Sequence, residues 1–342
     1  MEAAAISNRF ITFAERECKG SSSLYEHLSR KIANDDELLQ LASNFRDGQP
    51  VPNLFFGAVH YLLLKENKHE LKEYYRSIVN KPKAAGTAFP YFKDFCQTNK
   101  HEIIQLLKNK LVQTNEVRRC SYLYPAFCYI YEKTNMPLAL IEIGTSAGLQ
   151  LLWDKCGYFY NSGNEIYGNN LAQLIIESKF DETGLPFLLK ESPPVNTRIG
   201  LDLHVNDLNN ADDYLWLKSL IWPEHTERFA TFEKACHRLK QQSLKLIEGN
   251  GVKLLTEMAS TIPRDSVLCV FHTHVANQMP EDDKYELIEH IKKLGDERAI
   301  FHLYNNMWDS GQLHLDYYLN GKEYKETLAE TDGHGGWFKW IL

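Results

Sequence analysis

The stretch LALIEIGTSAGLQLLWDK, residues 138–155, decides the fold class of this chain. Its first six residues form a short, largely apolar run, which is typical of a strand in a parallel sheet that is covered on both faces. A turn containing Gly144 and Gly148 follows, and SAGLQLLWDK has the apolar spacing of a helix. The stretch therefore predicts a strand, a turn and a helix, the unit from which α/β sheets are built.

The segments after residue 155 continue this alternation. The predicted strands are RIGLDL at 198–203, VLCVFH at 267–272 and RAIFHLY at 298–304. The predicted helices are ERFATFEKACHRLKQQSLKLI at 227–247 and PEDDKYELIEHIKKLG at 280–295. Asn320 and Gly321 separate two strand-like runs, which indicates a β-hairpin. We expect an open, mostly parallel α/β sheet with an antiparallel hairpin at its C-terminal edge.

The first part of the chain has a different character. Residues 1–133 read as helical, and NDDELLQLASNF places Asn34 as an N-cap three residues before Glu37, as in a capping box. The prolines within 156–197 interrupt any regular element there. The sequence therefore predicts a helical N-terminal region, 1–133, and an α/β core, 134–342, that carries an insertion at about 156–197.

The composition indicates which class of partner and which cellular compartment to expect. The 342 residues carry a formal charge of −7 and no dense run of lysine and arginine, which disfavours a nucleic acid as the main partner. The 7 cysteines form no CxxC pair, as expected of reduced thiols in a cytosolic protein. The N-terminus lacks the pattern of a signal peptide, and no apolar stretch reaches the ~20 residues that span a bilayer. We expect a cytoplasmic protein without a membrane segment.

The turn after the first predicted strand limits the class of ligand. A dinucleotide fingerprint, GxGxxG, fails because Ser146 and Leu149 stand where glycines are needed, and the lysine of a phosphate-binding loop is missing. The remaining pattern, Glu142-x-Gly144-x-Ser146-x-Gly148, resembles the first motif of class I S-adenosylmethionine-dependent methyltransferases. The resemblance implies a nucleoside cofactor lying across small residues. The alternative is a tight turn that needs glycine for its backbone angles.

Two further residues fit the same resemblance. Asp202 ends the predicted strand at 198–203, where the methyltransferase pattern implies a carboxylate that binds both ribose hydroxyls. The interval in sequence from Glu142 to Asp202 is much longer than the ~20 positions usual in nucleotide-binding folds. The insertion at about 156–197 would account for the difference. Asn250, in IEGNG, stands where the pattern implies a contact with the adenine amino group. The alternatives are a capping role for Asp202 and a turn role for Asn250.

The chain also resembles a bacterial family, the domain of unknown function 2332. The resembling segments are TNEVRRCSYLYPAF, LALIEIGTSAGLQLLWDKCGYFY, RIGLDLHVNDLNNADDYLWLKSLIWPEHTERF, VFHTHVANQMP and GHGGWFKWIL. LIWPEHTERF is the most specific of them. Asn250 and Gln150 depart from the family, where aspartate and asparagine are common. The resemblance implies a methyltransferase-like fold with an added helical region and no assigned reaction.

Histidines follow the strand predicted at 267–272. His272 and His274 alternate, so in extended backbone they would face the same side, and His302 on the next strand could be their neighbour. Histidine changes its charge near neutral pH, so one of this pair is a candidate base. The alternative is a capping or packing role. A zinc site would need a third ligand, such as His314 or His334, and the spacing does not demand one, so we predict no metal.

These observations lead to two functional hypotheses. The first is an S-adenosylmethionine-dependent methyltransferase that acts on a small-molecule acceptor, with the helical region as a lid or part of the acceptor pocket. The second is a non-catalytic module that binds a nucleoside or a partner and retains a methyltransferase-like fold. Arg118 and Arg119 could clamp an acidic substrate or lie on a solvated helix face. The closing GHGGWFKW could cover the site, with Gly335 and Gly336 as its flexible points.

Overall fold

A computed structural model describes residues 2–65, 68–161, 163, 165–181, 183–184, 186–242 and 244–342. The predicted insertion and the helix predicted at 227–247 each include residues outside this set. The chain forms two compact units, each made of two segments: Met1–Thr114 with Leu208–Ala230, and Asn115–Asp207 with Thr231–Leu342. In the described part of the chain, no helix is long and apolar enough to cross a membrane.

The elements are numbered in chain order. The α-helices are α1 (Glu2–Phe13), α2 (Ser23–Ile32), α3 (Asp36–Ala42), α4 (Val51–Leu64), α5 (Phe89–Thr98), α6 (Lys100–Asn109), α7 (Cys120–Thr134), α8 (Ala211–Ser219), α9 (Thr226–Leu239), α10 (Gly251–Ser260) and α11 (Glu281–Gly295). The strands are β1 (Leu138–Ile143), β2 (Gly157–Tyr160), β3 (Ile166–Gly168), β4 (Ile175–Phe180), β5 (Val195–Asp202), β6 (Lys245–Glu248), β7 (Val267–His272), β8 (Ile300–Asn305), β9 (Gln312–Leu319), β10 (Lys322–Thr331) and β11 (Trp337–Trp340).

The first unit is helical, and it differs in extent from the helical region predicted at 1–133, because residues 115–133 belong to the second unit and Leu208–Ala230 to the first. Its central helix is α4, which is apolar on nearly all sides and is buried along most of its length. The indole of Trp216 in α8 donates a hydrogen bond to the Leu111 carbonyl at 2.8 Å, which anchors α8 within this unit. The predicted cap of α3 is wrong by one residue. The carboxylate of Asp35, not Asn34, accepts the Leu38 N–H and closes the first turn.

The second unit contains one sheet. In the described residues its strand order is β3-β2-β4-β11-β10-β9-β8-β7-β1-β5-β6. The five strands from β8 to β6 pair in parallel. Along the chain, β1 is followed by β5 and β6 on one side and then by β7 and β8 on the other. The order therefore reverses between β1 and β7, and their carboxyl ends flank the point at which open α/β sheets bind ligands.

Both faces of this parallel part are covered, which explains its continuous apolar strands. Ala139 and Ile141 of β1 belong to a buried cluster that also includes residues of α10 and α11. On the other face, Phe127 of α7 stacks on Trp153 and meets Phe271 of β7 edge-on, with ring centroids 4.5 and 5.4 Å apart. The sequence prediction of a covered parallel strand at 138–143 is confirmed.

The C-terminal hairpin is confirmed, but its place in the sheet differs from the prediction. Asn320 and Gly321 both have positive φ, 52° and 73°, as a tight turn between β9 and β10 requires. The hairpin is not at the edge of the sheet, because β11 pairs with β10 and then with β4. The inserted stretch supplies β2, β3 and β4. The fold is thus a mixed α/β structure with a large, mostly parallel sheet.

Two predicted helices are shorter than expected. The helix predicted at 227–247 ends at Leu239, and Lys245–Glu248 forms strand β6, which pairs with β5. Ser243, within the prediction, lies outside the described residues. After the β1 turn, Leu149–Lys155 is a 3₁₀ segment rather than an α-helix, and Leu152 departs from helical geometry.

Candidate functional site

Buried polar residues gather at the carboxyl ends of β1, β7 and β8. Those with less than a tenth of their surface exposed are Glu116, Arg119, Glu142, Thr145, Ser146, Gln150, Asn206, Thr273, Asn305 and Asn306. Burial of polar groups costs free energy unless they are hydrogen-bonded. A concentration of such groups beside the reversal in strand order is therefore a candidate site.

The glycine turn has a defined backbone conformation. Gly144, Ser146 and Gly148 have φ of 77°, 52° and 79°, in the left-handed region that favours glycine. The Gly144 N–H donates to the Leu201 carbonyl of β5 at 2.8 Å, and the Gly148 N–H donates to Thr145 at 2.8 Å. The turn is thus held against the end of β5, and its glycines are needed for backbone angles.

Packing adds a second constraint on the same glycines. A Cβ on Gly144 would lie 2.6 Å from the side chain of Val275, which follows β7. A Cβ on Gly148 would lie 2.9 Å from Leu244. Small residues at these positions therefore allow close packing within the protein, as the turn alternative requires. Cofactor binding by Gly144, Ser146 and Gly148 stays a prediction.

Asp202 connects the ends of β1 and β5. Its Oδ2 accepts the Ser146 N–H at 2.7 Å, and its Oδ1 accepts the His204 N–H at 3.2 Å. This is the capping role that was the alternative to ribose binding. Asp202 therefore lies beside the turn and is fixed in orientation there.

Asn250 begins α10. Its side-chain Oδ1 accepts the N–H groups of Val252 and Lys253 at 3.0 and 3.3 Å, which is N-cap geometry. Its Nδ2 lies 3.3 Å from Asp283 Oδ2 and donates to it. Because β6 ends at Glu248, Asn250 lies at the carboxyl edge of the sheet. Asn250 thus caps α10, and its contact with adenine stays a prediction.

Glu142 is a buried carboxyl beside the turn. Thr145 Oγ1 donates to its Oε2 at 2.6 Å. Burial raises the pKa of Glu142 to about 8, and the negative charge of Asp202 acts in the same direction, whereas the Thr145 bond opposes the shift. Glu142 is therefore mainly protonated at neutral pH, which residue type and spacing alone did not reveal.

His272 is fully buried and paired with His302. Their Nε2 atoms are 3.2 Å apart, and neither Nδ1 has a hydrogen-bond partner among the described residues. Burial lowers the pKa of His272 to about 3 and that of His302 well below its usual value. The predicted neighbourhood of these two histidines is confirmed. Both imidazoles are neutral at physiological pH.

His274 lies apart from that pair. Its φ is 63°, so the backbone is not extended there and the expectation that it shares a side with His272 is wrong. Its N–H donates to Asn305 Oδ1 at 2.9 Å, and its Nε2 is 3.4 Å from Asn306 Nδ2. Burial lowers its pKa to about 3, and the positive charges of Arg119 and His334 add to this shift. Of the two candidate bases, His274 is the one that contacts Asn305 and Asn306 of the polar cluster.

A chain of side chains joins the ends of β1 and β7 to the segment before α7. Thr273 Oγ1 donates to Gln150 Oε1 at 2.9 Å, and Gln150 Nε2 donates to the Glu116 carbonyl at 3.2 Å. Arg119 Nη1 is 3.5 Å from Thr273 Oγ1. Arg119 is buried, so a solvated helix face is the wrong interpretation for this residue. Asn305 had no sequence signal, because a lone asparagine after a strand is common.

The closing GHGG segment is fixed rather than free. The Gly335 carbonyl accepts hydrogen bonds from the hydroxyls of Ser121 and Ser178 at 2.9 and 2.8 Å. Arg119 Nε donates to the Gly333 carbonyl at 2.9 Å. A Cβ on Gly335 would lie 2.4 Å from the Arg118 carbonyl oxygen. The glycine at 335 therefore permits close backbone packing beside the cluster.

Comparison with known proteins identifies the family. The sequence model described as "Uncharacterized protein conserved in bacteria (DUF2332)" matches residues 7–340. The chain belongs to this family. The match covers both units, so the helical unit of this DUF2332 protein is part of the family pattern. No curated protein and no solved structure matches the chain. Among the described residues, no three histidine, cysteine, aspartate or glutamate side chains form a group that could hold a metal ion.

Proposed function

We propose that this DUF2332 protein is an S-adenosylmethionine-dependent methyltransferase that acts on a small-molecule acceptor. The observation that carries the proposal is the reversal of strand order between β1 and β7, with the Glu142–Gly148 turn at its edge. Asp202 lies at the end of the adjacent strand and contacts that turn. In open α/β sheets this is the crevice in which nucleoside ligands bind. The finer fold assignment, a Rossmann-like methyltransferase core, is part of the proposal.

The residues present are compatible with such a cofactor. The positive-φ turn presents backbone without bulky side chains, and Asp202 is a half-buried carboxylate fixed beside it. The cofactor-binding residues would be Glu142, Gly144, Ser146, Gly148, Asp202 and Asn250. Bound S-adenosylmethionine would supply a methyl group activated by its sulfonium. The protein would orient the acceptor and exclude water, which are the main contributions an enzyme makes to such a transfer.

The two candidate bases would differ in role. His274 is partly exposed and neutral at pH 7, so its imidazole can accept a hydrogen bond from a hydroxyl or amine acceptor. His272 is fully buried and contacts His302, so we assign it a supporting role, in which it packs next to the polar cluster. The net charge of −7 favours a small acceptor over a nucleic acid.

Calorimetric titration with S-adenosylmethionine and S-adenosylhomocysteine tests the proposal. We expect saturable binding that weakens by about 1.5–3 kcal/mol in Asp202→Ala, the loss of a charged hydrogen bond. Asp296→Ala, an exposed aspartate after α11, is the matched control and should bind as the wild type does. A folded Asp202→Ala protein with unchanged affinity, or no binding of either ligand at millimolar concentration, would contradict the proposal.

A non-catalytic binding module remains the second candidate, and one observation favours it. Every predicted cofactor residue except Glu142 has a capping, turn or packing role in the protein itself. The two candidates differ in turnover. Release of S-adenosylhomocysteine from S-adenosylmethionine in the presence of a small-metabolite mixture, reduced in His274→Gln, supports the enzyme. Intact cofactor binding without any release supports the module.

A further inference from the structure

A cleft lies away from the carboxyl ends of the strands. Its volume is about 470 Å³, within the range of small-ligand pockets. It is lined by Asp154, Lys155, Gly168, Asn169, Asn170, Glu191, Ser192, Arg238 and Gln242. Glu191 and Ser192 precede β5, Arg238 and Gln242 precede β6, Asp154 and Lys155 end the 3₁₀ segment after β1, and residues 168–170 end or follow β3. The cleft therefore adjoins the amino ends of β5 and β6, whereas the cofactor turn is at the opposite edge of the sheet.

The walls of this cleft contain polar atoms without partners. Asp154 is buried, and its Oδ2 contacts Arg198 Nη2 at 2.6 Å and Lys155 Nζ at 2.8 Å. Asp154 Oδ1, Ser192 Oγ and Arg238 Nε are buried atoms that have no hydrogen-bond partner among the described residues. An unsatisfied buried donor or acceptor is costly, so each such atom in a folded protein calls for an explanation.

The three atoms specify complementary ligand groups. Asp154 Oδ1 can only accept a hydrogen bond, Arg238 Nε can only donate one, and the Ser192 hydroxyl can do either. Asp154 already contacts two cations, so a neutral hydroxyl matches its remaining oxygen better than a third cation does. A carboxylate matches the guanidinium of Arg238. Glu191 is exposed, so solvent screens its repulsion of a ligand carboxylate that pairs with Arg238.

We propose that this cleft binds a small polyhydroxylated carboxylic acid. The carboxylate of the ligand would pair with Arg238, and one hydroxyl would donate to Asp154. The amides of Asn169, Asn170 and Gln242 offer donors and acceptors that suit further hydroxyls. The described residues of the lining include no aromatic side chain, which disfavours a flat apolar ligand. This site is separate from the proposed cofactor site and does not depend on methyl transfer.

Titration of the full chain with sodium gluconate tests the inference by calorimetry. Sodium acetate, which has the carboxylate alone, and glucose, which has the hydroxyls alone, are the comparison ligands. We expect saturable binding of gluconate and at least tenfold weaker binding of the other two. Arg238→Gln and Ser192→Ala should each weaken gluconate binding, Arg238→Gln by roughly tenfold or more through the loss of a charged hydrogen bond.

Lys234→Gln is the matched control, because Lys234 is an exposed cation one turn earlier on α9 and does not line the cleft. It should leave gluconate affinity unchanged. Three results would overturn the inference: no gluconate binding at tens of millimolar, equal binding of acetate, or unchanged affinity in both folded variants. Asp154→Asn is less suitable because it disturbs the contacts with Arg198 and Lys155.

Discussion

Gly144 meets two separate constraints, one of backbone conformation and one of space. Its φ of 77° is in the left-handed region, and a Cβ would lie 2.6 Å from Val275. The motif pattern could identify the glycine but not the second constraint, because Val275 is distant in sequence and approaches only in the folded sheet. At this scale, a motif predicts a residue type more readily than it predicts the reason for it.

Gly144→Ala should lower the free energy of unfolding by about 2–4 kcal/mol, from overpacking and left-handed strain together. Combination with Val275→Gly, which removes the Cβ of Val275 that lies 2.6 Å from the added methyl group, should relieve the overpacking, so urea unfolding of the double variant should show favourable coupling. Gly321→Ala is the control, because its φ is 73° with no atom within 4 Å of the added Cβ. It should cost only about 1 kcal/mol. Simple additivity at Gly144 and Val275 would show that the clash is absent.

Glu142 should make stability fall as pH rises. Its pKa in the folded protein, about 8, lies above its ordinary value of 4.5, so the folded state retains a proton that the unfolded state releases. The contribution of this retained proton to the free energy of unfolding is fully present below pH 4.5. It is lost between pH 4.5 and about pH 8, at roughly 1.4 kcal/mol per pH unit.

Urea unfolding between pH 5 and pH 8 measures this contribution. Glu142→Gln should remove it, whereas Glu289→Gln, an exposed residue on α11, should leave the pH dependence of the wild type. Parallel pH profiles for the wild type and Glu142→Gln would refute the prediction.

At the scale of elements, α10 depends on its first residue. Asn250→Ala removes the acceptor of two backbone N–H groups and should destabilise the protein by about 1 kcal/mol. Asn250→Ser restores a capping oxygen and should recover most of that loss in thermal unfolding. If Asn250 also contacts the adenine, cofactor affinity should stay reduced in Asn250→Ser after stability has returned. Full recovery of both would assign Asn250 to capping alone.

Local patterns predicted the elements whose signals are local. The Asn320-Gly321 turn and the apolar runs of β1 and β7 were located correctly. A tight turn and burial on both faces each require particular residue types within a few consecutive positions. Strand β6 was missed because KLIE directly follows a helical pattern and is only four residues long. Strands β2 and β3 were missed because they are only four and three residues long, and β4 because one of its partners, β11, is far along the chain.

At the scale of the whole molecule, the candidate site arises from topology. Glu142, Asp202, His274 and Asn305 are far apart in sequence and converge because four parallel strands end at one edge of the sheet. Sequence reasoning could propose the first three from motifs and strand ends. It could not find the link from Thr273 through Gln150, because hydrogen bonds between distant side chains leave no periodic pattern.

The His272–His302 pair should make the protein sensitive to acid. The pKa of each imidazole in the folded protein lies below the unfolded value near 6.5, so the unfolded state binds protons first. The free energy of unfolding does not change through these groups above about pH 6.5. As the pH drops toward 3 it falls by up to about 1.4 kcal/mol per pH unit through His272, and His302 acts in the same direction.

Chemical unfolding at pH 7, 6, 5 and 4 checks this expectation. The double variant His272→Phe, His302→Leu should show a shallower loss of stability than the wild type. His101→Phe, which removes an exposed histidine, should follow the wild type. An equally steep loss in the double variant would mean that other groups cause the acid sensitivity.

The helical unit is completed by Leu208–Ala230, which comes after Asn115–Asp207 in the chain. During synthesis, the ribosome delivers α1 to α6 first and then the strands β1 to β5, before α8 emerges. At roughly 5–20 residues per second, several seconds pass between the synthesis of α4 and the synthesis of α8. Helix α8 is the helix against which Gly57 of α4 packs. Throughout this interval the apolar surface of α4 that α8 will cover is open to other contacts. The nascent chain should therefore bind holding chaperones until residue 230 has left the exit tunnel.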